Sequence, residues 1–283
     1  MSNSNNRPPL QLTAVQLSSS PDPATNLVTL RELFSQLPAQ RPQLVVLPEA
    51  CLCFAAGDAA QRRLAELPGQ GPMQEGLAAL AADFGVWLVA GTIPLIDHPQ
   101  QSRFSAASLL YNPAGDCIAR YNKINLFDVE VADATGNYCE SAATMAGTEV
   151  VTVATEIGTI GMAVCYDVRF PELFRALRLA AADIVVLPSA FTQVTGSAHW
   201  HVLTRARAIE QQVAVVAAAQ VGRHANGRET YGHALVVDAW GNLQADAKQA
   251  SPSFATAVFA AEQQQHIRRT MPVITQFKTQ QVV

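Results

Sequence analysis

The stretch Pro42-Gln43-Leu44-Val45-Val46-Leu47-Pro48-Glu49-Ala50 returns later in the chain as Ala182-Asp183-Ile184-Val185-Val186-Leu187-Pro188-Ser189-Ala190. A shorter echo precedes each copy, Thr13-Ala14-Val15-Gln16 against Met162-Ala163-Val164-Cys165. Echo and copy are joined by helical patterns at about 25–37 and about 171–181. After each copy come another helix, a strand (85–90 matching 212–217) and a hairpin with a Gly-polar turn (108–116 matching 234–242). Pieces that recur in one order mark an internal duplication, each half reading strand, helix, strand, helix, strand, hairpin.

Two such halves make two similar sheets, each with helices on one face. A run such as Leu44-Val45-Val46-Leu47 has no polar side, so it needs cover on both faces. Stacking sheet on sheet with helices outside meets that need. The expected fold is therefore α/β, a four-layer αββα sandwich with an internal pseudo-twofold repeat. In layered α/β folds, ligands sit beyond the carboxyl ends of strands. Glu49 and Cys165 both stand there, and Lys123 follows the strand-like Arg120-Tyr121-Asn122.

Composition narrows the class. Of 283 residues, 49% are hydrophobic and 15% charged, which supports a large core and argues against disorder. No Pro/Gly/Ser-rich linker breaks the interior, so one domain is expected over 1–283, with a core at about 10–260 and a C-terminal extension at about 261–283. A net charge of -4 offers no basic footprint for nucleic acid. The polar start lacks an apolar signal region, and no apolar run is long enough for a membrane span. Five scattered cysteines suit a reducing compartment, so a cytoplasmic protein is expected.

A carboxylate, an amine and a thiol at strand exits are the parts of a nucleophilic hydrolase of C–N bonds. Cys165 could be an inert core cysteine, but a turn at Tyr166-Asp167 would open the thiol and aim backbone N–H groups at it. Glu49 lies between the apolar stretches 44–47 and 50–54, a setting for a buried general base. Lys123 is a surface lysine by default; beside a developing oxyanion it would be an electrostatic catalyst, and beside a thiol it would lower the pKa.

Together these contexts resemble the nitrilase (carbon–nitrogen hydrolase) superfamily across nearly the entire chain. The likeness runs through Ala14-Val15-Gln16, Leu47-Pro48-Glu49-Ala50, Lys123-Ile124-Asn125-Leu126-Phe127-Asp128, Glu140-Ser141 and Gly161-Met162-Ala163-Val164-Cys165-Tyr166-Asp167-Val168-Arg169-Phe170-Pro171-Glu172-Leu173. The resemblance implies the αββα sandwich and a catalytic set in which Glu49 is the general base, Lys123 stabilises the tetrahedral intermediate and Cys165 forms a thioester. Glu140 would position Lys123 and the substrate. The later stretch from Pro188 through His199-Trp200 to Arg205-Ala206-Arg207, and then Val216 to His224, looks most like the branch acting on deaminated glutathione. That reaction releases 2-oxoglutarate and cysteinylglycine. The neighbouring branch is an ω-amidase acting on 2-oxoglutaramate. Both substrates carry a 2-oxo acid end, which the family meets with an arginine at the position of Arg169; an ion pair of Arg169 with Asp167 or Glu172 is the alternative. Phe191, Thr195 and Tyr166 complete the expected substrate contacts. Family members generally assemble as dimers through the helices after the nucleophile, so the resemblance implies a homodimer or higher homo-oligomer.

Some features point elsewhere or nowhere. A family aromatic shortly after the base is replaced here by Ala50-Cys51-Leu52-Cys53-Phe54, and Cys51 and Cys53, without a second pair at zinc-site spacing, read as core residues. His199 and His201 would not share a helix face, which disfavours them as a metal pair. Arg205 and Arg207 read as helix anchors, and Asn226-Gly227 as a surface turn in a loop near the site. The absence of G-x-G-x-x-G after the first strand argues against a dinucleotide enzyme, and no cofactor or metal is expected. A non-catalytic binding module with this architecture would be expected to have lost a member of the Glu-Lys-Cys set.

Overall fold

Alternation along each strand decides what its two faces meet. In the strand Gln43–Val46 and the residue after it, Leu44 and Val46 point one way, Val45 and Leu47 the other, and all four are fully buried. Leu44 and Val46 share a core with Leu12, Ala14, Ile160, Met162, Ile184 and Val186. Val45 and Leu47 instead pack with Leu30 and Leu33 of helix Pro23–Phe34 and Leu77 and Leu80 of helix Pro72–Phe84. The second sheet is covered on its outside by helices Pro171–Leu179 and Gln193–Gln211, which send Leu173, Phe174, Leu177, Trp200 and Ala208 inward. Each such side chain contributes roughly 1.5–3 kcal/mol by leaving water. In this computed structural model, which describes residues 9–276, the layers therefore run helix, sheet, sheet, helix, the expected αββα sandwich. The polar start at 1–8 and the end of the expected extension at 277–283 lie outside the described residues.

The duplication is visible in the pairing. In the first half Gln11–Leu17, Gln43–Val46 and Trp87–Val89 run parallel, followed by antiparallel Ser105–Tyr111 and Cys117–Asn122. In the second, Gly158–Met162, Ile184–Val186 and Ala214–Ala217 run parallel, followed by antiparallel Leu235–Val237 and Leu243–Asp246. Even the register shift in the last hairpin recurs, at Leu110/Tyr111 and at Val236/Val237. The halves are also stitched together: strand Ala219–Arg223 of the second half pairs with Gln11–Leu17 of the first, bringing its hairpin partner Glu229–Tyr231 into the first sheet.

Local chemistry sets the element ends. The first helix starts at Pro23 because the Asp22 carboxylate accepts the Thr25 amide and proline is preset for the first turn, and it stops at Phe34, short of the expected 37. The helix after Cys165 ends at Leu179, with Ala181 in the left-handed region. Gly91 lies at φ 52°, and a Cβ there would collide with the Pro48 carbonyl directly before Glu49, so only glycine fits. Helix Ala261–Thr270 is clamped to the second sheet by Arg268, which pairs with Asp183 at 2.7 Å and donates to the Ala182 and Gln212 carbonyls. Among the described residues no helix is long and apolar enough to cross a membrane.

Candidate active site

Three strand exits converge. Lys123 follows strand Cys117–Asn122, and its ammonium, on a side chain only 1% exposed, donates to Glu49 Oε1 at 2.8 Å and to Glu140 Oε2 at 2.7 Å. The same Glu140 oxygen accepts the Phe127 amide at 2.7 Å, so Glu140 is held from two sides. Burial alone would push the ammonium down, but the carboxylates of Glu140 and Glu49 outweigh it and hold Lys123 well above the usual lysine value. Burial pushes the Glu140 carboxyl up, and Lys123 pulls it back in part.

Cys165 opens a short 3-10 turn, Cys165–Arg169, directly after the second sheet's strand Gly158–Met162. Its φ of 47° is left-handed, a conformation costing an L-residue of this type roughly 1–2 kcal/mol, and the turn is held in place from both sides. Its amide donates to the Pro188 carbonyl at 2.8 Å, and the Ala190 amide lowers the thiol pKa a little. The buried Asp167 carboxylate accepts the Val164 amide (2.8 Å), the Tyr121 hydroxyl (2.7 Å), the Asn125 amide (3.0 Å) and the Asn125 side chain (2.8 Å). Asp167 therefore ties the cysteine turn to residues on either side of Lys123. It does not pair with Arg169, the partner considered from sequence.

The thiol is less open than a turn alone suggests, with Cys165 only 5% exposed. It shares a cavity with Glu49. Burial and the Glu49 charge push its pKa up, and Lys123 and the Ala190 amide offset only part of that. The expectation that a neighbouring lysine lowers the thiol pKa is thus outweighed here, by burial first and by the Glu49 charge second. The resting site holds a neutral thiol beside a base that can take its proton.

Glu49, Lys123, Glu140 and Cys165 line one cavity of about 290 Å³, near the lower end of small-molecule sites (~300–1,000 Å³). Phe191 and Phe54 line it as well. Tyr166, Arg169 and Thr195 are not among the lining residues. Tyr166 packs edge-on against Phe127 and Phe170. The Arg169 guanidinium sits 5.3 Å from the Phe191 ring centroid and 3.3 Å from His199 Nδ1, and Thr195 serves the cap of its helix through Thr192. Arg205 and Arg207 anchor the same helix, the first through the Gly241 carbonyl, the second through the Val168 carbonyl and Glu210.

The cavity's second cation is Arg228, which sequence reasoning missed. It follows the Asn226-Gly227 turn, expected to be surface, and opens toward the cavity with its guanidinium over Phe54 (5.1 Å) and Tyr138 (5.2 Å) while donating to the Ala190 carbonyl. The available signal was the expected place of that turn in a loop near the site. Cys51 and Cys53 are fully buried core residues, the Cys53 thiol pushed up to about 12 by burial and Glu66.

A buried thiol, a carboxylate and a lysine held between two glutamates in one cavity are the groups required for attack by a cysteine nucleophile on a small carbonyl compound. The carbon-nitrogen hydrolase family model matches residues 11–269. The chain is 44% identical over 229 residues to a Yersinia enterocolitica protein named deaminated glutathione amidase, covering 81% of this chain and 79% of that one. It is 42% identical over 268 residues to the Homo sapiens protein of the same name, covering 93% and 81%. In structure it resembles the C. elegans NitFhit protein with a TM-score of 0.87 at 33% identity, covering 96% of this chain and 66% of that one. The chain belongs to the carbon-nitrogen hydrolase family. It is a hydrolase of non-peptide carbon–nitrogen bonds in small amides.

Proposed function

We propose that this protein hydrolyses the amide of a 2-oxo acid, with deaminated glutathione as its substrate and 2-oxoglutarate and cysteinylglycine as products. The observation that carries the reaction is the buried Lys123 ammonium shared by Glu49 and Glu140 in the cavity that Cys165 faces. Glu49 takes the thiol proton as sulfur attacks the amide carbon. The Lys123 ammonium and the amide after Cys165 hold the oxyanion, a type of interaction whose loss typically costs ~3 kcal/mol of barrier. The intermediate collapses as Glu49 returns its proton to the leaving amine, and cysteinylglycine departs. Water, deprotonated by Glu49, then attacks the thioester, and 2-oxoglutarate leaves with the thiol restored.

The substrate assignment rests on the names of the relatives and on the charge of the cavity. The one Lys123 ammonium is already shared by the Glu49 and Glu140 carboxylates, so a substrate bearing carboxylates needs another cation. Arg228 supplies one; Arg169, stacked on Phe191, stands near enough to support that wall. Both guanidiniums suit bidentate capture of a carboxylate. The reading extends to a single hydrolase domain with core 10–260 and extension 261–283, to a cytoplasmic setting, and to a homodimer. Exposed Leu179, Val202 and Ile209 on the helices after Cys165 favour the dimer.

Release of 2-oxoglutarate from deaminated glutathione and from 2-oxoglutaramate, measured side by side with the Cys165→Ala protein as blank, tests this. Preference for the tripeptide-like substrate is expected. Preference for 2-oxoglutaramate would make the protein an ω-amidase, and turnover by Cys165→Ala would refute the thioester route.

A further inference from the structure

Three side chains from three elements converge outside the catalytic cavity. His201 lies on helix Gln193–Gln211, His233 two residues beyond strand Glu229–Tyr231, and Asp246 at the end of strand Leu243–Asp246. Asp246 Oδ2 is 3.0 Å from His233 Nδ1 and 3.5 Å from His201 Nε2, and one ligand atom from each of the three lies within 4.8 Å of the other two. Ligands on a tetrahedral ion with bonds of ~2.1 Å stand ~3.4 Å apart. Two of the three edges already have about that length, and the third has to close by no more than about 1.4 Å. His201 thus finds its partners across the fold and not in His199, whose place on the helix separates them.

The group is also held in shape. The Lys248 amide occupies Asp246 Oδ1 at 2.7 Å, leaving Oδ2 to face both rings. His233 is in the left-handed region at φ 59°, unusual for an L-residue, and three contacts keep it there. Its amide donates to the Lys248 carbonyl (2.7 Å), its carbonyl accepts the Trp200 indole N–H (2.8 Å), and its ring stacks on Tyr231 at 4.5 Å. The His201 side chain is 31% exposed, so solvent can reach the open side.

We propose that His201, His233 and Asp246 bind a divalent transition-metal ion of the zinc class, with water completing the shell. Two imidazoles and one carboxylate are the donor set such ions take, whereas calcium and magnesium favour oxygen alone. The ion braces the long helix against both hairpins. Through the Tyr231 amide, which donates to the Phe191 carbonyl at 3.0 Å, it also stiffens one wall of the catalytic cavity.

Chelator-treated full-length protein titrated with Co²⁺ tests the site. The expected result is one Co²⁺ per chain, with d–d absorption of a nitrogen- and oxygen-ligated ion and no thiolate charge-transfer band, displaced by Zn²⁺. At a hundredfold excess over Kd the melting temperature should rise by about 5 °C. Both signals should vanish in Asp246→Asn and in His201→Ala; the second replaces a partly exposed helix residue and decides the matter where the first fails to fold. Absence of saturable binding, binding undiminished in His201→Ala, or a thiolate band that puts the ion on cysteine would each overturn the assignment.

Discussion

Asp167 offers the sharpest test of how the site is built, because one fully buried carboxylate accepts four hydrogen bonds from three residues. No salt bridge pairs it with a cation among the described residues, so its charge rests on those donors. Replacing it with alanine strands the Tyr121 hydroxyl and the Val164 amide in the core, at about 1–3 kcal/mol each, while the half-buried Asn125 groups recover part of their bonding from water. The expected loss is about 3–5 kcal/mol for Asp167→Ala. Asp167→Asn keeps an acceptor for Asn125 but turns an NH₂ toward the Val164 amide or the Tyr121 hydroxyl, and should cost about 2–3 kcal/mol. Urea unfolding followed by tryptophan fluorescence measures both. Because Tyr121 and Asn125 flank Lys123, and Val164 precedes Cys165, kcat should fall more steeply than KM rises in the asparagine variant even where it remains folded. An Asp167→Ala protein within 1 kcal/mol of the parent and with unchanged kcat would refute the view that this carboxylate joins the lysine and the cysteine.

Other outcomes follow from the same geometry. Arg228→Ala should raise KM for 2-oxo acid amides by about 10–100-fold, the worth of a charge-assisted hydrogen bond, and by more than Arg169→Lys does. Equal KM values for parent and Arg228→Ala would remove it from substrate capture. Glu49→Gln should lose turnover with substrate affinity largely kept, measured as kcat against Kd; retained turnover would exclude it as the base. Burial, aided by Arg228, lowers His224 to about 4, so between that value and its ordinary 6.5 the unfolded chain binds more protons and stability falls as pH drops. From pH 7 to 5 this should cost about 1–2 kcal/mol, and His224→Gln should flatten that part of the urea-midpoint profile; an unchanged slope would contradict it.

Much of this architecture is legible in the chain because apolar strands without a polar face have few ways to be covered. The runs at 44–47 and 184–187 dictate two-sided burial, and the order of echoes dictates two like halves. The catalytic candidates are legible for a related reason: Glu49, Lys123 and Cys165 are polar residues placed where buried strands end. What escapes such reading is contact made across the duplication. The Asn226-Gly227 turn can be placed in a loop near the site, but nothing in sequence picks out Arg228, since Phe54 and Tyr138, the rings beneath the guanidinium, come from the first half. Asp167 looks like a partner for the nearby Arg169 until Tyr121 and Asn125 arrive from the other sheet. The net protonation of the thiol is likewise a sum over burial, one lysine and a carboxylate, and only coordinates supply its terms.

The repeat also explains why the site is asymmetric. The segments 47–50 and 187–190 are equivalent, yet one presents Glu49 to the cavity while the other tucks Ser189 against the Leu187 carbonyl. The second copy contributes by backbone instead: the Pro188 carbonyl accepts the Cys165 amide, and Ala190 lines the cavity beside the thiol. At the other equivalent pair, Cys165 turns out of its sheet while Gln16 stays in strand, bonded to Ala234, Lys248 and Ala250 of the second half. One half's strand exits thus hold the base and lock the halves together; the other's hold and cradle the nucleophile. A base and a thiol that come from different sheets are kept in register by such cross-half bonds together with the apolar layer between the sheets. That is why Gln16, far from the reacting atoms in role, belongs to the frame on which the geometry of Glu49 and Cys165 depends.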